Sequence, residues 1–192
     1  MPNWCENWGD ITHKDKTKMD ALRIAVNRGH LLAFAVPQPP EIDKCVRDCD
    51  KHSRLMLRDK KVEPLTEAEQ AWLDEYEARP RGLMPDWYDW RVDNWGTKWE
   101  VDCHRNDYLD GTITIGFDSA WGPPTLAFEQ LANMGFEFEI TYFEGNNCFG
   151  GRYTSKDGVF NDEYFDDLHK TNWATAKEWV RDSFEHFFAT DH

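Results

Sequence analysis

The chain has no long hydrophobic run. No window of its 192 residues approaches the roughly 18 consecutive apolar positions that a membrane-spanning helix needs, so no contact with a membrane is expected. The opening Met1-Pro2-Asn3-Trp4 has neither a basic stretch nor an apolar one. A secretory leader is therefore not expected, and a cytoplasmic location is. Cysteine is scarce and unpaired. Cys5, Cys45, Cys49, Cys103 and Cys148 are odd in number and scattered in spacing, a pattern of reduced thiols and not of a disulfide framework. One helical turn would align Cys45 with Cys49, near His52, but no second ligand pair follows at zinc-site spacing. No metal or other cofactor is expected. A phosphate-cradling glycine loop is missing, since Gly150-Gly151 is too short to form one. No serine or threonine sits in a nucleophile-elbow context, and His104 would point away from Cys103 within a strand. A catalytic set is thus not readable, and a non-enzymatic role is the expectation.

Positive charge is also in short supply. Lys and Arg number 22 against 36 Asp and Glu, for a net charge of −14. The imbalance lies in residues 83–192, which hold 8 basic and 21 acidic side chains. Such a surface repels phosphate backbones, so direct nucleic-acid binding is not expected. It suits solubility or a protein partner that is basic or handles DNA. The acidic run Asp162, Glu163, Asp166, Asp167 reads as a solvated face, because nothing in its spacing selects a catalytic pair.

What the chain has in abundance is tryptophan. Ten Trp residues are a heavy load, because each ring needs a large apolar slot and a partner for its N–H. The dipeptide Asn-Trp occurs at 3–4, 7–8, 94–95 and 172–173. Trp4 to His13 alternates as a strand. Asp15 then caps a helix through Asn27, with Met19, Leu22 and Val26 inward and Gly29 as its stop. Leu31 to Val36 is a short apolar run of the kind that forms a buried strand. Residues 37–84 differ from their flanks, being dense in charge and poor in aromatics. They are read as a helical insertion, with one helix from Ile42 to Lys61. A second starts at the capping box Thr66-Glu67-Ala68-Glu69 and turns Trp72, Leu73 and Tyr76 inward, with Pro80 and Gly82 closing the segment. Trp87, Trp90 and Asn94 share a helical face in the acidic, aromatic stretch that opens at Met84.

The second half is predicted as a strand from Lys98 to His104, a turn over Asp107–Gly111, and a return strand from Thr112 to Phe117. A helix from Thr125 to Met134 follows, begun by Pro123-Pro124. Alternating strands Phe136–Glu144 and Cys148–Thr154 flank the turn Gly145-Asn146-Asn147, and a turn at Lys156-Asp157-Gly158 leads to a further short strand. Asn172 is read as the cap of a last helix to Phe188, on the spacing of Trp173, Ala176, Val180, Phe184 and Phe187. The expected fold is one α+β domain over 1–192: a ferredoxin-like antiparallel sheet with helices packed on one face, plus the helical insertion.

Four stretches carry a family resemblance. They are Pro2-Asn3-Trp4-Cys5-Glu6-Asn7, Asn94-Trp95-Gly96-Thr97-Lys98-Trp99, Ser119-Ala120-Trp121-Gly122-Pro123-Pro124, and Tyr142-Phe143-Glu144-Gly145 leading to Phe149 and Gly151. Together they resemble the YubB-like ferredoxin-like domain family of bacteriophages and conjugative plasmids. The resemblance implies the fold and a bacterial host cytoplasm, and no assigned activity. It does not imply an iron–sulfur cluster, and the cysteine spacing lacks any cluster-binding run.

The candidate ligand-binding set is Asn94, Trp95, Thr97, Lys98 and Trp99, with Trp121 and Glu144 supplied by neighbouring loops. Rings interleaved with polar groups can stack a planar ligand and bond its edge. Lys98 is placed to pair with Glu144 or to hold a phosphate. The same residues also suit plain packing, with Asn bonding its own backbone and Gly96 taking an unusual φ. The functional expectation is an accessory protein that binds a host or phage protein through its acidic surface. The alternatives are a binder of a small nucleotide-like ligand at the Asn94–Trp99 and Trp121 loops, and an acidic mimic of nucleic acid.

Overall fold

The computed structural model describes residues 3–60, 64–79 and 86–188. Six strands form one antiparallel sheet in the order β2-β3-β1-β4-β5-β6. They are β1 (Trp4–Thr12), β2 (Cys103–Leu109), β3 (Thr112–Ala120), β4 (Glu137–Glu144), β5 (Phe149–Lys156) and β6 (Val159–Phe165). The helices are α1 (Lys16–Asn27), α2 (Leu31–Ala35), α3 (Pro40–Lys60), α4 (Glu67–Glu77), α5 (Trp87–Trp95) and α6 (Thr125–Asn133). A last helix, α7, runs over 178–188. Its α-helical ends, Glu178–Val180 and His186–Phe188, enclose a π-helical turn at Arg181–Glu185. The path β1-α1-β2-β3-α6-β4 with strand order 2-3-1-4 is the ferredoxin-like arrangement, and β5 and β6 extend it past β4.

β1 is the central strand. It pairs with β3 from Trp4↔Ala120 to Thr12↔Thr112 and with β4 from Cys5↔Glu144 to Thr12↔Glu137. Alternation then sends Cys5, Asn7 and Ile11 to one face, where all are buried, and Trp4, Glu6 and Asp10 to the other. The first face carries the main core. Ile113, Ile115, Phe117, Phe138, Ile140 and Tyr153 of the sheet meet Met19, Leu22 and Val26 of α1 and Phe128 and Leu131 of α6. Phe128 stacks on Phe117 and Tyr153 and meets Phe138 edge-on, and burying one such ring contributes about 1.5–3 kcal/mol.

The second face is partly covered too. A smaller cluster of Phe143, Leu168, Val180 and Phe184 seats α7 on this side, with Trp8 and Trp179 packed around it. Beyond α7 the β1–β3–β2 part of that face shows exposed Trp4, Glu6, Asp10 and Asp118. The antiparallel sheet with its ferredoxin-like helices is as expected, and α7 on the far face is an addition to it.

Several elements differ from the sequence reading. Leu31 to Val36 is a helix, not a strand, with Leu31, Leu32 and Ala35 buried. An apolar run this short has no period that tells helix from strand. The deciding group is far away: the Glu100 carboxylate accepts both the Leu32 and the Ala33 N–H at 2.8 Å. The strand expected at Lys98–His104 starts only at Cys103 and runs on to Leu109, with a bulge between Cys103 and Arg105. The turn is the two-residue Asp110-Gly111, both at positive φ (50° and 83°), which suits the twist of a tight hairpin. The Asp157-Gly158 turn has the same form, with φ of 51° and 79°. The final helix begins at Glu178, not Asn172. Trp173 reaches the same cluster from a turn by stacking on Phe188, so its spacing mimics a helical one. In the 37–84 segment α3 and α4 appear as read, and both halves of the Thr66/Glu69 capping box form. Lys61, Pro80, Gly82 and Met84 lie outside the described residues.

At Gly9 the backbone of β4 leaves no room for a side chain. A Cβ there would lie 1.9 Å from the Glu139 carbonyl oxygen, and φ is +156°. Gly9→Ala is expected to lower the unfolding free energy by at least about 3 kcal/mol, which urea denaturation would measure.

Candidate functional site

The residues singled out in the sequence divide into two groups. The first group binds the scaffold together. Asn94 donates from Nδ2 to the Trp90 carbonyl at 2.7 Å. Trp95, 1% exposed, ends α5 and donates its indole N–H to the Val36 carbonyl at 2.9 Å. Gly96 follows in the left-handed region at φ 85°, and its N–H closes the helix onto Val92, the usual role of a C′ glycine. Buried Thr97 donates from Oγ1 to the Ala120 carbonyl at 3.1 Å. These contacts sew α5 to the end of α2 and the end of β3.

Glu144 is equally occupied. It lies fully buried beside Cys5 on the core face, and no ion pair joins it to Lys98. Its carboxylate accepts the Asn146 N–H (2.9 Å), the Asn146 side-chain amide (3.0 Å) and the Asn147 N–H (2.7 Å). It therefore ties up the β4–β5 turn. The pairing with Lys98 suggested by the sequence is not formed. Burial pushes the Glu144 carboxyl up, but the Asn147 and Asn146 donors outweigh it and hold it below its ordinary value.

In the second group Lys98 is half-buried, Trp99 and Trp121 are exposed, and the three lie together. The Lys98 ammonium lies 3.8 Å from the Trp121 ring centre and 4.1 Å from that of Trp99, a cation held between two π faces. Trp4 continues the row, 5.8 Å from Trp99, and Tyr88 meets Trp121 edge-on at 6.3 Å. Trp4, Trp99 and Trp121 are 46%, 38% and 49% exposed. Trp121 has a φ of 68°, a left-handed conformation that costs a residue with a Cβ about 1–3 kcal/mol. Its N–H bonds the Asn3 carbonyl at 2.8 Å, which fixes the ring at the mouth of the sheet.

Beside this row runs a groove of about 330 Å³ whose lining includes Trp4, Trp99, Glu100, Asp102, His104 and Asp118. Asp118 stands directly opposite Glu6 across the β1–β3 pairing. Both are exposed, and among the described residues neither side chain has a hydrogen-bond or ion-pair partner. Like charges in that position repel. Trp4, Glu6, Asp102 and Asp118 were not picked out by their spacing, because they come from three segments that only the sheet register brings together. Cys49 contacts the Tyr76 hydroxyl at 3.4 Å and His52 stacks on the Tyr76 ring, and among the described residues no three metal-ligating side chains converge.

The fold and site thus define an α+β ferredoxin-like protein with an open aromatic and acidic groove at one end of its sheet. Comparison with known families agrees on the fold: residues 95–186 match the family model described as the ferredoxin-like domain in Api92-like protein. Among solved structures the chain is similar to protein Api92 from Yersinia pseudotuberculosis, at 11% identity over 86% of this chain and 98% of that one, with a TM-score of 0.46. No curated protein matches.

The lowered folded-state pKa of Glu144 makes its ionised form stabilising at pH values above the unfolded value near 4.5. That contribution is lost as pH falls through the folded value. Glu144→Gln is expected to cost about 1–3 kcal/mol at pH 7 and markedly less at pH 3, as urea unfolding at the two pH values would read.

Proposed function

We propose that this protein is a non-enzymatic binding module that docks a basic segment of a partner protein in the Trp4–Trp99 groove. The observation that carries this reading is the unrelieved pair Glu6–Asp118. Two carboxylates held opposite each other on an open sheet face, with no cation supplied by the described residues, favour a partner that brings one. The rings alongside favour the same chemistry, and Lys98 between Trp99 and Trp121 is an intramolecular example of what they accept. An incoming Lys or Arg would lay its aliphatic stem on Trp4 and Trp99 and its charge near Asp118 and Asp102. Exposed aromatics beside charged groups are also what concentrates binding energy at protein interfaces. The phage or plasmid setting belongs to this proposal, in which the partner is a host or phage protein.

A planar nucleotide-like ligand is less well supported. The slot between Trp99 and Trp121, where a base would stack, already holds the Lys98 ammonium. A nucleic-acid mimic would use the same carboxylates. It would differ in that duplex DNA would compete for its partner.

The test uses a ten-residue Lys- and Arg-rich peptide, followed by tryptophan fluorescence over a salt series. Binding is expected to weaken with salt and to fall at least tenfold in Asp118→Asn. The same substitution is expected to stabilise the free protein by about 0.2–1 kcal/mol, because it removes the cross-strand repulsion. Equal binding by Asp118→Asn and the native protein would refute the proposal, as would equal binding of a peptide in which every Lys and Arg is replaced by Gln.

A further inference from the structure

A second cavity, of about 620 Å³, lies among α1, α2 and α5 and shares Glu100 with the lining of the Trp4–Trp99 groove. This is within the usual size of a small-molecule site. Its apolar lining comes from Ile24, Phe34 and Trp95, and its charged groups are Arg28, Arg91, Asp43 and Glu100. The two carboxylates are already engaged. Glu100 accepts the N–H groups of Leu32, Ala33 and Val101, and Asp43 accepts the Gln38 amide at 2.7 Å. The two guanidiniums keep free donors. Arg28 is exposed, and its side chain has no hydrogen-bond or ion-pair partner among the described residues.

Arg91 is half-buried. It spends its Nε–H on Gln38 Oε1 at 2.7 Å and makes one long contact, 3.4 Å, to the Lys98 carbonyl. It forms no ion pair among the described residues. A guanidinium has five N–H donors, so most of this one's capacity is unused. The group is also held in place, 4.8 Å from the Trp95 ring centre and 5.4 Å from that of Trp87. A fixed cation with free donors at the wall of an apolar cavity is set to receive an anion.

We propose that this cavity binds a small monocarboxylate with an apolar body, its carboxylate on Arg91 and its hydrocarbon against Phe34 and Trp95. The planar fork of Arg91 matches a carboxylate bidentately, and Arg28 at the rim adds a second positive charge. Asp43 and Glu100 line the same cavity, so a doubly charged phosphate monoester is disfavoured relative to a single charge. Burial of Arg91 lowers its guanidinium below its ordinary value, a desolvation cost that a bound anion offsets. The site shares Glu100 with the groove at Trp4 and Trp99, but it binds through Arg91 and Arg28 and not through Asp118, so either proposal can fail without the other.

Octanoate is the probe, titrated into the full chain and followed by the NMR shifts of the Arg91 Nε–H and the Trp95 indole N–H. Saturable shifts at both are expected. 1-Octanol and octyl phosphate should each bind at least tenfold more weakly. Arg91→Gln is expected to weaken octanoate at least tenfold, and Arg28→Ala severalfold. Arg28 is exposed, so its variant keeps the test open if Arg91→Gln fails to fold. Absence of saturable shifts, equal affinity for octanol, tighter binding of octyl phosphate, or undiminished binding in the folded arginine variants would each overturn the proposal.

Discussion

The structure depends on β1 being hydrogen-bonded along both edges. This nine-residue strand sits between β3 and β4, so its register sets the faces of both neighbours. Asn7 reinforces that register from within the sheet. Its side-chain amide donates to the Cys5 carbonyl and to Ser119 Oγ, at 2.8 and 2.9 Å, and so links β1 to β3 through side chains as well as backbone. A slip of one residue would bury Glu6 and expose Ile11, and Gly9 would no longer face the Glu139 carbonyl. The open groove and the closed core are two faces of one alignment.

Two buried or half-buried carboxylates, Glu100 and Glu144, act as acceptors of N–H groups and not as halves of ion pairs. Glu100 starts α2 from 68 residues away, and Glu144 closes the turn that follows it. Their environments push them in opposite directions. Burial dominates at Glu100 and raises its carboxyl despite three N–H donors, whereas the donors dominate at Glu144 and lower it. An acidic composition can therefore serve the architecture directly, with the exposed remainder left to define the surface.

The periodic parts of the fold were legible in the sequence. The alternation of Phe138, Ile140 and Tyr142, the helical stripe of Met19, Leu22 and Val26, the Asp-Gly turns and the Thr66 capping box all carry local signals, and each forms. What could not be read is what depends on distant partners. Leu31–Ala35 is a helix because of Glu100, and the start of β2 is displaced by the way residues 96–102 wrap the end of the sheet. The site followed the same division. Lys98, Trp99 and Trp121 could be named from a local motif. Trp4, Glu6 and Asp118 could not, since cross-strand register puts them beside the motif. Asn94, Trp95, Thr97 and Glu144 have the composition of a binding site, and each makes its side-chain hydrogen bonds to the chain itself.

The two ends of the sheet also differ in how much change they can accept. At the end near Thr12 both hairpins close in two residues whose backbone lies in the left-handed region. An inserted or β-branched residue there would disturb strand pairing at once. The other end carries the longer connections: the 96–102 segment, the Trp121–Pro124 bend and the Gly145–Cys148 turn. Variation in loop length is therefore channelled to the end that holds the tryptophan groove, so the proposed docking surface can diversify while the strand register stays fixed.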